Sequence, residues 1–465
     1  MSVPAAGTRV LVHGLGRFGG GREAVRFLAR RGCRVRVADR SAGDDLLAVR
    51  AGLDDLGVDW QLGREDVELL DDIELLVVNP AVPDAHPLLT AAQHRGIALT
   101  QELDLFLAAY PGRVVGVTGT NGKSSTSTLL HRALRRAGRD ALLGGNIGHS
   151  LLADEGAWRT DQIAVVEMSS FQLERLAPER KVHGAVFTRV TSDHLDRHGS
   201  LAAYQRAKGR LAHAAQEFVV RCAADEVAAA YETAAGHRLR YALTEPAPAS
   251  VGLDAGFLTV RPPAASAAAA ERIVHRGALQ LIGDFQVENA MAAAAAAHSL
   301  GAPADAIGLA LATAPPLPFR LQRVAVLDGV RIFDNAVSTE LGSTVSAFDA
   351  LAGSGRVHWV GGGKSKDGDY QRVARALAPR VASAHLFGAA ATPLAASWPS
   401  TPATAQTYDD LEAALAGALG AARPGETLLF SPAFASFDQY PNFRARGLAF
   451  HEWLASRRAE GRSSG

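Results

Sequence analysis

A glycine-rich stretch at residues 116–125, with the sequence GVTGTNGKSS, constrains the fold of this chain more than any other feature. It is close to the phosphate-loop pattern of a glycine, four free residues, a glycine, a lysine and a serine, with five residues in place of four between Gly116 and Gly122. A β-branched run at residues 113–117 predicts a buried strand before it, and residues 126–134 predict a helix after it. The alternative is a chance glycine-rich turn, and the strand and helix on either side argue against it.

A strand, a tight glycine turn and a helix N-terminus direct backbone N–H groups and the positive end of the helix dipole at one point. That arrangement suits a polyphosphate. We therefore expect an α/β nucleotide-binding domain in which Lys123 reaches the terminal phosphates and Ser124 holds Mg²⁺.

A second glycine fingerprint lies near the start of the chain. Residues 10–13 predict a strand, residues 14–19 read GLGRFG, and a second strand at residues 34–38 ends in Asp39. This is the dinucleotide-binding pattern, in which the acidic residue meets a ribose hydroxyl. The glycines identify only a pyrophosphate beside a helix N-terminus, however, and UDP-sugars carry that group as NAD does. A nicotinamide-dependent oxidoreductase therefore stays open as an alternative.

Two other predicted strands of the phosphate-loop region end in polar residues. Residues 162–166 are followed by Glu167, and residues 185–189 are followed shortly by Asp193 and His194. The carboxyl ends of parallel strands meet at one sheet edge, where ligands of open α/β sheets bind. A carboxylate, a histidine and the loop serine at that edge predict a site for Mg²⁺ bound to ATP.

The length of 465 residues exceeds what one hydrophobic core organises and predicts about three domains. Breaks at residues 111–112 (PG) and 314–318 (APPLP) supply the boundaries. We expect an α/β protein with a Rossmann-like N-terminal domain at 1–110, a central phosphate-loop ATPase-like domain with a parallel sheet at 111–315, and a Rossmann-like C-terminal domain at 316–465. In the last domain the ligand candidates again follow strands: Asp334, residues 361–366 (GGGKSK) and Ser431.

Composition excludes several classes of function. Lys and Arg number 48 and Asp and Glu also number 48, so no global field favours nucleic acid or a membrane surface. Cys33 and Cys222 lie far apart and in no metal-type spacing, which favours a reduced, cytoplasmic protein. Residues 1–13 show no signal-peptide pattern, and no apolar run is long enough to span a bilayer. We expect a monomer that acts on small molecules.

Five motifs together resemble the Mur ligases of peptidoglycan synthesis. They are GTNGKS at 119–124, GNIG at 145–148, EMSSFQL at 167–173, DHLDRH at 193–198 and SPAFASFDQY at 431–440. The resemblance covers nearly the whole chain, and the SSFQL and SFDQY runs favour the branch that adds D-glutamate over the other peptide-adding ligases and over folylpolyglutamate synthase.

The resemblance implies ATP-dependent amide synthesis. ATP phosphorylates the alanyl carboxylate of UDP-N-acetylmuramoyl-L-alanine, and the amine of glutamate displaces phosphate from the resulting acyl phosphate. It also implies that Lys208 is carbamylated by CO₂, which turns a cation into an anionic metal ligand.

The motifs and the resemblance together give the following candidate site. The expected catalytic residues are Lys123, His194 and Lys208. The expected ATP-binding residues are Gly116, Thr118, Gly119, Thr120, Asn121, Gly122, Lys123, Ser124, Ser125, Asn289, Arg320 and Asp334. The UDP substrate is expected at Gly14, Leu15, Gly16, Arg17, Phe18, Asp39, Arg40, Asn79, Pro80, Asn146 and Ser169. Glutamate is expected at Thr339, Lys366, Ser436, Phe437 and Phe443, and Mg²⁺ at Ser124, Glu167, His194 and Lys208.

The chain departs from the family pattern at a few positions. The family's usual DSKATN run is replaced by residues 335–340 (NAVSTE), so that Val337 stands for a lysine and Glu340 for an asparagine. Gln286 also stands where an asparagine is usual. Amino-acid preference and ATP affinity are therefore open, and a sister ligase that adds L-glutamate or another amino acid is a second hypothesis. A non-catalytic nucleotide-binding module is a third, which the two expected metal sites disfavour.

Overall fold

The computed structural model describes residues 2–16, 19–243, 250–261 and 269–463. The chain forms two compact units. One comprises Met1–Leu279 with Glu288–Thr313, and the other comprises Gln280–Val287 with Ala314–Gly465. The first unit contains two sheets and the second contains one.

The N-terminal sheet has five parallel strands in the order β3-β2-β1-β4-β5. The strands are β1 (Arg9–His13), β2 (Arg34–Asp39), β3 (Asp59–Leu62), β4 (Leu75–Val78) and β5 (Ala98–Thr100). The helices are α1 (Gly20–Arg30), α2 (Asp44–Ala51), α3 (Pro87–His94) and α4 (Glu102–Ala109). The strand order reverses beside β1, so the crevice in which such sheets bind ligands opens next to the glycine loop.

The two faces of β1 belong to different hydrophobic clusters because successive side chains of a strand point to opposite faces. Val10 and Val12 pack with Ala24 and Leu28 of α1. Leu11 packs on the other face, in a cluster that includes Leu88 of α3. Helices on both faces give the doubly wound architecture that the fingerprint predicts.

The central sheet has nine strands in the order β14-β13-β12-β11-β10-β9-β6-β8-β7. The strands are β6 (Arg113–Thr118), β7 (Ala141–Gly145), β8 (Ile163–Glu167), β9 (Val182–Phe187), β10 (Ala215–Cys222), β11 (His237–Ala242), β12 (Val251–Asp254), β13 (Phe257–Val260) and β14 (Glu271–His275). The helices are α5 (Lys123–Arg136), α6 (Ser170–Glu174), α7 (Leu195–His198), α8 (Leu201–Ala214), α9 (Glu226–Ala230), α10 (Asp284–Ser299) and α11 (Ala304–Ala312). Strands β6 to β12 all pair with their neighbours in parallel. At one edge of the sheet, β12, β13 and β14 form an antiparallel meander.

The C-terminal sheet has six strands in the order β15-β16-β20-β17-β18-β19, and only β15 runs antiparallel to its neighbour. The strands are β15 (Gln322–Leu327), β16 (Val330–Asp334), β17 (Val357–Gly362), β18 (Ser383–Phe387), β19 (Thr404–Thr407) and β20 (Thr427–Ala433). The helices are α12 (Leu341–Ala350), α13 (Tyr370–Leu377), α14 (Ala391–Ala396), α15 (Leu411–Ala421) and α16 (Phe443–Ser463).

The predicted α/β class with parallel-rich sheets is confirmed. The three sheets match the three expected α/β regions, although the first two regions form one compact unit. The domain boundaries at residues 110 and 315 remain a prediction. Among the described residues, none of the helices combines the length and apolar character that crossing a bilayer requires.

Polar contacts join the N-terminal and central parts of the first unit. Gln101 donates its side-chain amide to the carbonyl of Gln172 at 2.8 Å, and the Ser150 hydroxyl donates to Glu102 Oε1 at 2.5 Å. Burial raises the pKa of Glu102 to about 6, and the Ser150 hydrogen bond opposes that rise. The carboxylate is therefore held in a place that disfavours its charge.

Substitution of Glu102 by glutamine is expected to stabilise the protein near pH 7.5. The folded-state pKa lies about 1.5 units above the ordinary value, so ionised Glu102 costs about 2 kcal/mol above pH 6, and that cost disappears as pH falls from 6 to 4.5. Denaturant unfolding should give Glu102→Gln about 1–2 kcal/mol more stability at pH 7.5 and no gain below pH 4.5. The exposed Glu271→Gln serves as the control. Equal pH profiles for Glu102→Gln and wild type would contradict the assignment.

Candidate functional site

The glycine-rich loop connects β6 to α5, and its conformation depends on glycine at two places. Gly119 has φ +146° and Gly122 has φ +85°. A Cβ atom on Gly119 would overlap the Thr188 side chain, and one on Gly122 would overlap the Asn289 amide. The loop therefore lies against two side chains that leave no room for substitution, and its N–H groups precede a helix of 14 residues.

Contacts with neighbouring segments of the central domain hold the loop in place. The Thr120 N–H donates to the carbonyl of Arg189 at 2.9 Å, and its hydroxyl lies 2.8 Å from the Tyr204 hydroxyl. The Thr188 hydroxyl donates to the carbonyl of Asn121 at 2.6 Å. Because these contacts come from α8 and from the segment that follows β9, the central domain holds the loop before any nucleotide binds.

Lys123 lies over this loop. Its ammonium donates to the carbonyls of Thr120 at 2.7 Å and Gly119 at 3.1 Å. An ammonium at the first position of α5, beside the positive end of the helix dipole, adds positive charge to a place that already favours anions.

Glu167 ends β8 and is paired in register with Val117 of β6. The carboxylate is 2% exposed; Oε1 accepts a hydrogen bond from the Asn146 amide at 2.9 Å, whereas Oε2 is buried and has no hydrogen-bond partner among the described residues. Ser124 is buried at the start of α5. An unsatisfied carboxylate oxygen and a hydroxyl beside a phosphate loop are the hard oxygen donors that Mg²⁺ takes, so these residues fit the expected ion.

Lys208 of α8 is almost completely buried. Its ammonium donates to the Gly119 carbonyl at 2.7 Å and lies 4.7 Å from the centre of the Tyr204 ring. Burial lowers the pKa of Lys208 well below its ordinary value, Lys123 lowers it further, and Asp193 and Glu167 oppose the shift. The structure therefore brings Lys208 into the electrostatic neighbourhood of Lys123, Glu167 and Asp193.

His194 precedes α7 in the left-handed region, at φ 52°. Its Nε2 lies 3.3 Å from Asp193 Oδ2, and its ring lies 4.9 Å from that of Phe171. The side chain is 41% exposed, so the imidazole remains accessible to a ligand. The positive φ of His194 is a strained conformation for a non-glycine residue, and such conformations cluster at functional sites.

The N-terminal glycine loop closes on Asn79. Gly16 has φ +68°, and a Cβ there would lie 2.5 Å from the Asn79 amide nitrogen. The Asp39 carboxylate accepts from the N–H groups of Leu15 and Ser41, each at 2.9 Å. Asp39 thus holds the loop in shape as well as lying where a ribose is expected, and Arg17 and Phe18 lie outside the described residues.

Sequence reasoning missed three residues on this side of the site. A Cβ on Gly21 of α1 would overlap the backbone of Leu15, so Gly21 is the residue that permits close packing of helix and loop. Arg197 donates to the carbonyls of Pro80, Ala81 and Val82, and Arg175 donates to that of Asn79 at 3.1 Å. The DHLDRH run contains Arg197, but nothing in the sequence links it to the loop after β4.

Substitution of Gly16 by valine is expected to weaken binding of a UDP substrate at least about tenfold and to spare ATP binding. The reason is a β-branched side chain at positive φ that also strikes Asn79. Calorimetric titration of both ligands measures the two affinities. Gly57→Val is the matched control, since Gly57 has φ +63° but open space around it. Equal loss for both ligands would contradict the assignment, and tight NADH binding by wild type would favour an oxidoreductase.

Within the second unit, the ends of β16, β20 and β17 lie side by side. Asn335 is buried; its Oδ1 accepts from the Leu321 N–H at 3.2 Å, and its amide donates to the Ser431 hydroxyl at 3.0 Å. Phe319 and Leu321, on either side of Arg320, have φ 66° and 48°. Asn335 therefore fixes the strained turn that presents Arg320.

Asp334 is fully buried and is paired with a residue that the sequence did not indicate. Its Oδ2 lies 2.7 Å from His451 Nε2 on α16, and its Oδ1 accepts from the Ala336 N–H at 2.9 Å. Both carboxylate oxygens of Asp334 therefore have partners within the second unit. These contacts stabilise the end of β16, where we predicted a contact with ATP.

The residues expected around glutamate also belong to the second unit. Ser436 is 2% exposed, and Phe437 is 71% exposed beside it. Thr339 and Phe443 are half-buried, and Lys366 is exposed. Lys364 and Ala435 exchange backbone hydrogen bonds and so join the loop that carries Lys366 to the loop that carries Ser436.

The remaining predicted residues lie in the first unit. Asn289 is 6% exposed beneath Gly122, Ser169 caps α6 through the N–H of Gln172, and Arg40 is exposed. The first unit thus brings the phosphate loop, the expected metal ligands and the UDP candidates Asn146 and Ser169 to one edge of the central sheet, with the other described UDP candidates on the adjoining sheet. The second unit carries Arg320, Asp334 and the glutamate candidates.

Three family models match the chain. The Mur ligase MurD-like N-terminal domain matches residues 8–101, the Mur ligase middle domain matches 117–297, and the Mur ligase glutamate ligase domain matches 319–434. Curated relatives include the UDP-N-acetylmuramoylalanine–D-glutamate ligases of Acidobacterium capsulatum and Nitrosococcus oceani. Each is 33% identical and covers 97% of this chain and 97% of its own.

Solved structures share the fold. UDP-N-acetylmuramate-alanine ligase MurC from Thermotoga maritima aligns with TM-score 0.63 and 16% identity over 96% of this chain and 99% of its own. A pseudomurein peptide ligase type C from Methanothermus fervidus aligns with TM-score 0.57 and 19% identity over 91% of this chain and 96% of its own. With three matched domains in order and relatives that are similar from end to end, the chain belongs to the Mur ligase family.

Proposed function

We propose that this chain joins D-glutamate to UDP-N-acetylmuramoyl-L-alanine in an ATP-dependent amide synthesis that serves peptidoglycan formation. The observation that carries the proposal is the group around the phosphate loop. Lys123, Lys208 and the unsatisfied oxygen of Glu167 lie at one strand edge, where a binding module would have no need to bury opposed charges. The similarity to the D-glutamate ligases over 97% of the chain supports the same reaction.

The chemistry requires an activated carboxylate. A carboxylate is a poor electrophile, so transfer of the γ-phosphoryl group of ATP to an alanyl carboxylate oxygen gives an acyl phosphate. The glutamate amine then attacks the carbonyl carbon, the bond to the phosphate oxygen breaks, and the amine loses a proton. Phosphate and ADP are the other products, and catalysis consists mainly of positioning and charge neutralisation.

The chain's own residues supply those two effects. The loop N–H groups and Lys123 would hold the phosphates in a fixed geometry. Ser124, Glu167, His194 and Lys208 would hold Mg²⁺, which neutralises phosphate charge when bound. Arg320 and Asp334 are proposed at the nucleotide, and Thr339, Lys366, Ser436, Phe437 and Phe443 at the incoming glutamate.

We propose further that Lys208 carries a carbamate. Its amine is buried against the loop carbonyl of Gly119, a place where a permanent cation is disfavoured. Addition of the neutral amine to CO₂ forms an N–C bond and releases one proton, leaving an anionic group. That anion would be a metal ligand where an ammonium would repel the ion.

We place the reaction in the cytoplasm and expect a monomer. Cys33 and Cys222 are buried free thiols, which suits a reducing compartment. Size-exclusion chromatography with light scattering measures the oligomeric state.

The decisive assay measures phosphate release with ATP, Mg²⁺, UDP-N-acetylmuramoyl-L-alanine and each enantiomer of glutamate. We expect turnover with D-glutamate and little with L-glutamate. Preference for L-glutamate would favour the sister ligase, for which the departures at Val337 and Glu340 leave room. Absence of phosphate release with every amino acid would overturn the ligase assignment.

A further inference from the structure

A second group of ligating side chains lies in the N-terminal part, outside the residues assigned above. His13 ends β1, Glu65 lies in the loop after β3, and His86 caps α3. Nε2 of each histidine lies 3.6 Å from Glu65 Oε1, and the ligand atoms of all three residues lie within 4.8 Å of one another.

His13 is the unusual member of this group. It is 1% exposed, and within the described residues neither of its ring nitrogens has a hydrogen-bond partner. Its neighbours along β1 are buried aliphatic residues, and a valine there would bury the same position without loss of hydrogen bonds. Buried polar groups without partners are rare, and one explanation is an ion that the side chain ligates.

The distances suit an ion better than direct hydrogen bonds. A separation of 3.6 Å between nitrogen and oxygen is too long for a hydrogen bond. Two ligands of a tetrahedral ion at about 2.0–2.1 Å lie about 3.4 Å apart. The two distances between Glu65 Oε1 and the histidine Nε2 atoms are therefore already close to those around a zinc ion. Only the distance between the two imidazoles must shorten.

We propose that His13, Glu65 and His86 form a site for one Zn²⁺ ion. Two imidazoles and one carboxylate are a ligand set that zinc takes, whereas Mg²⁺ prefers oxygen. The site is independent of the proposed ligase function.

The electrostatics agree with this ligand set. Burial lowers the pKa of His13, His86 lowers it further, and Glu65, Asp39 and the backbone of Ala38 oppose the shift. The neutral imidazole that results is the form that ligates a metal.

Zinc binding would change the helix cap at His86. Its Nδ1 accepts a hydrogen bond from the Leu88 N–H at 3.2 Å, so Nε2 carries the proton in the metal-free protein. When Nε2 ligates zinc, a neutral ring carries its proton on Nδ1, and the bond to Leu88 is lost. The leucine amide therefore reports on this site and not on zinc bound elsewhere.

The ion would join three segments of the N-terminal sheet. It would tie the end of β1 to the loop that contains Glu65 and to the N-terminus of α3. The Asn79 N–H donates to the His13 carbonyl at 3.0 Å, so the site adjoins the glycine loop and Asn79. Three protein ligands leave the fourth position of the tetrahedron to water. The ion should raise the melting temperature because zinc binds the folded state.

The test uses the untagged full chain after dialysis against a chelator. Calorimetric titration with ZnCl₂ in excess Mg²⁺, which fills the cation site proposed beside the phosphate loop, should give one zinc per chain. Co²⁺ should show the visible absorption of a tetrahedral complex. Selective ¹⁵N-leucine labelling should show a shift of the Leu88 amide on loading.

Two variants remove one ligand each and should preserve the fold. Glu65→Gln changes a side chain that is 34% exposed, and His86→Asn keeps a residue that can cap α3. Each should weaken zinc binding at least about 100-fold and abolish the zinc-dependent rise in melting temperature. The matched control is His275→Asn, because His275 also caps through Nδ1 but belongs to no such cluster among the described residues.

Unchanged zinc affinity in both variants would mean adventitious zinc only and would overturn the proposal. A stoichiometry well below one per chain in correctly folded wild type would overturn it as well.

Discussion

Substitution of Lys123 by alanine is expected to lower ATP-dependent phosphate release at least about 100-fold. Its ammonium lies over the carbonyls of Gly119 and Thr120, at the mouth of the loop, and would be the nearest mobile cation to the transferred phosphoryl group. The side chain supplies charge more than packing, so circular dichroism and the melting temperature should stay close to those of wild type.

The control for this variant is Lys181→Ala, which removes an exposed lysine from the same sheet region. It should keep full activity. Near-normal phosphate release by Lys123→Ala would contradict the placement of ATP at this loop.

Substitution of Lys208 has the second largest expected effect. Lys208→Met keeps an unbranched buried side chain but cannot form a carbamate, and its activity should fall at least about 100-fold. Wild-type activity should rise when bicarbonate is restored to protein prepared without CO₂. Added acetate should partly rescue Lys208→Ala, since it supplies the missing anion, and intact mass analysis should show a gain of one CO₂ on wild type.

The competing account treats Lys208 as a permanent cation that pairs with phosphate. It expects Lys208→Arg to retain much of the rate and bicarbonate to have no effect. Active enzyme with an unmodified amine would rule out the carbamate. Because Lys208 is buried against the Gly119 carbonyl, loss of activity in Lys208→Arg does not by itself decide between the accounts, and the response to bicarbonate and the mass of the active enzyme do.

The sequence determined the elements whose geometry is local. The phosphate loop depends on glycines at positive φ and on a helix that begins at Lys123, and both follow from residues that are adjacent in the chain. Buried parallel strands such as β8 were predictable because strands that are covered on both faces have continuous runs of aliphatic residues. The short strand β3 was missed, since Asp59–Leu62 has only two apolar residues and its pairing with β2 defines it as a strand.

Tertiary structure alone decided which distant side chains meet. Lys208 looks like an exposed helix lysine in the sequence, and it is buried because α8 packs beneath the loop. Asp334 meets His451 across more than one hundred residues of chain, and His13 meets His86 because β1 lies next to β4. Strand order and helix packing decide which of these distant side chains come into contact. The spacing and periodicity of residues in a single sequence do not reveal that order or packing.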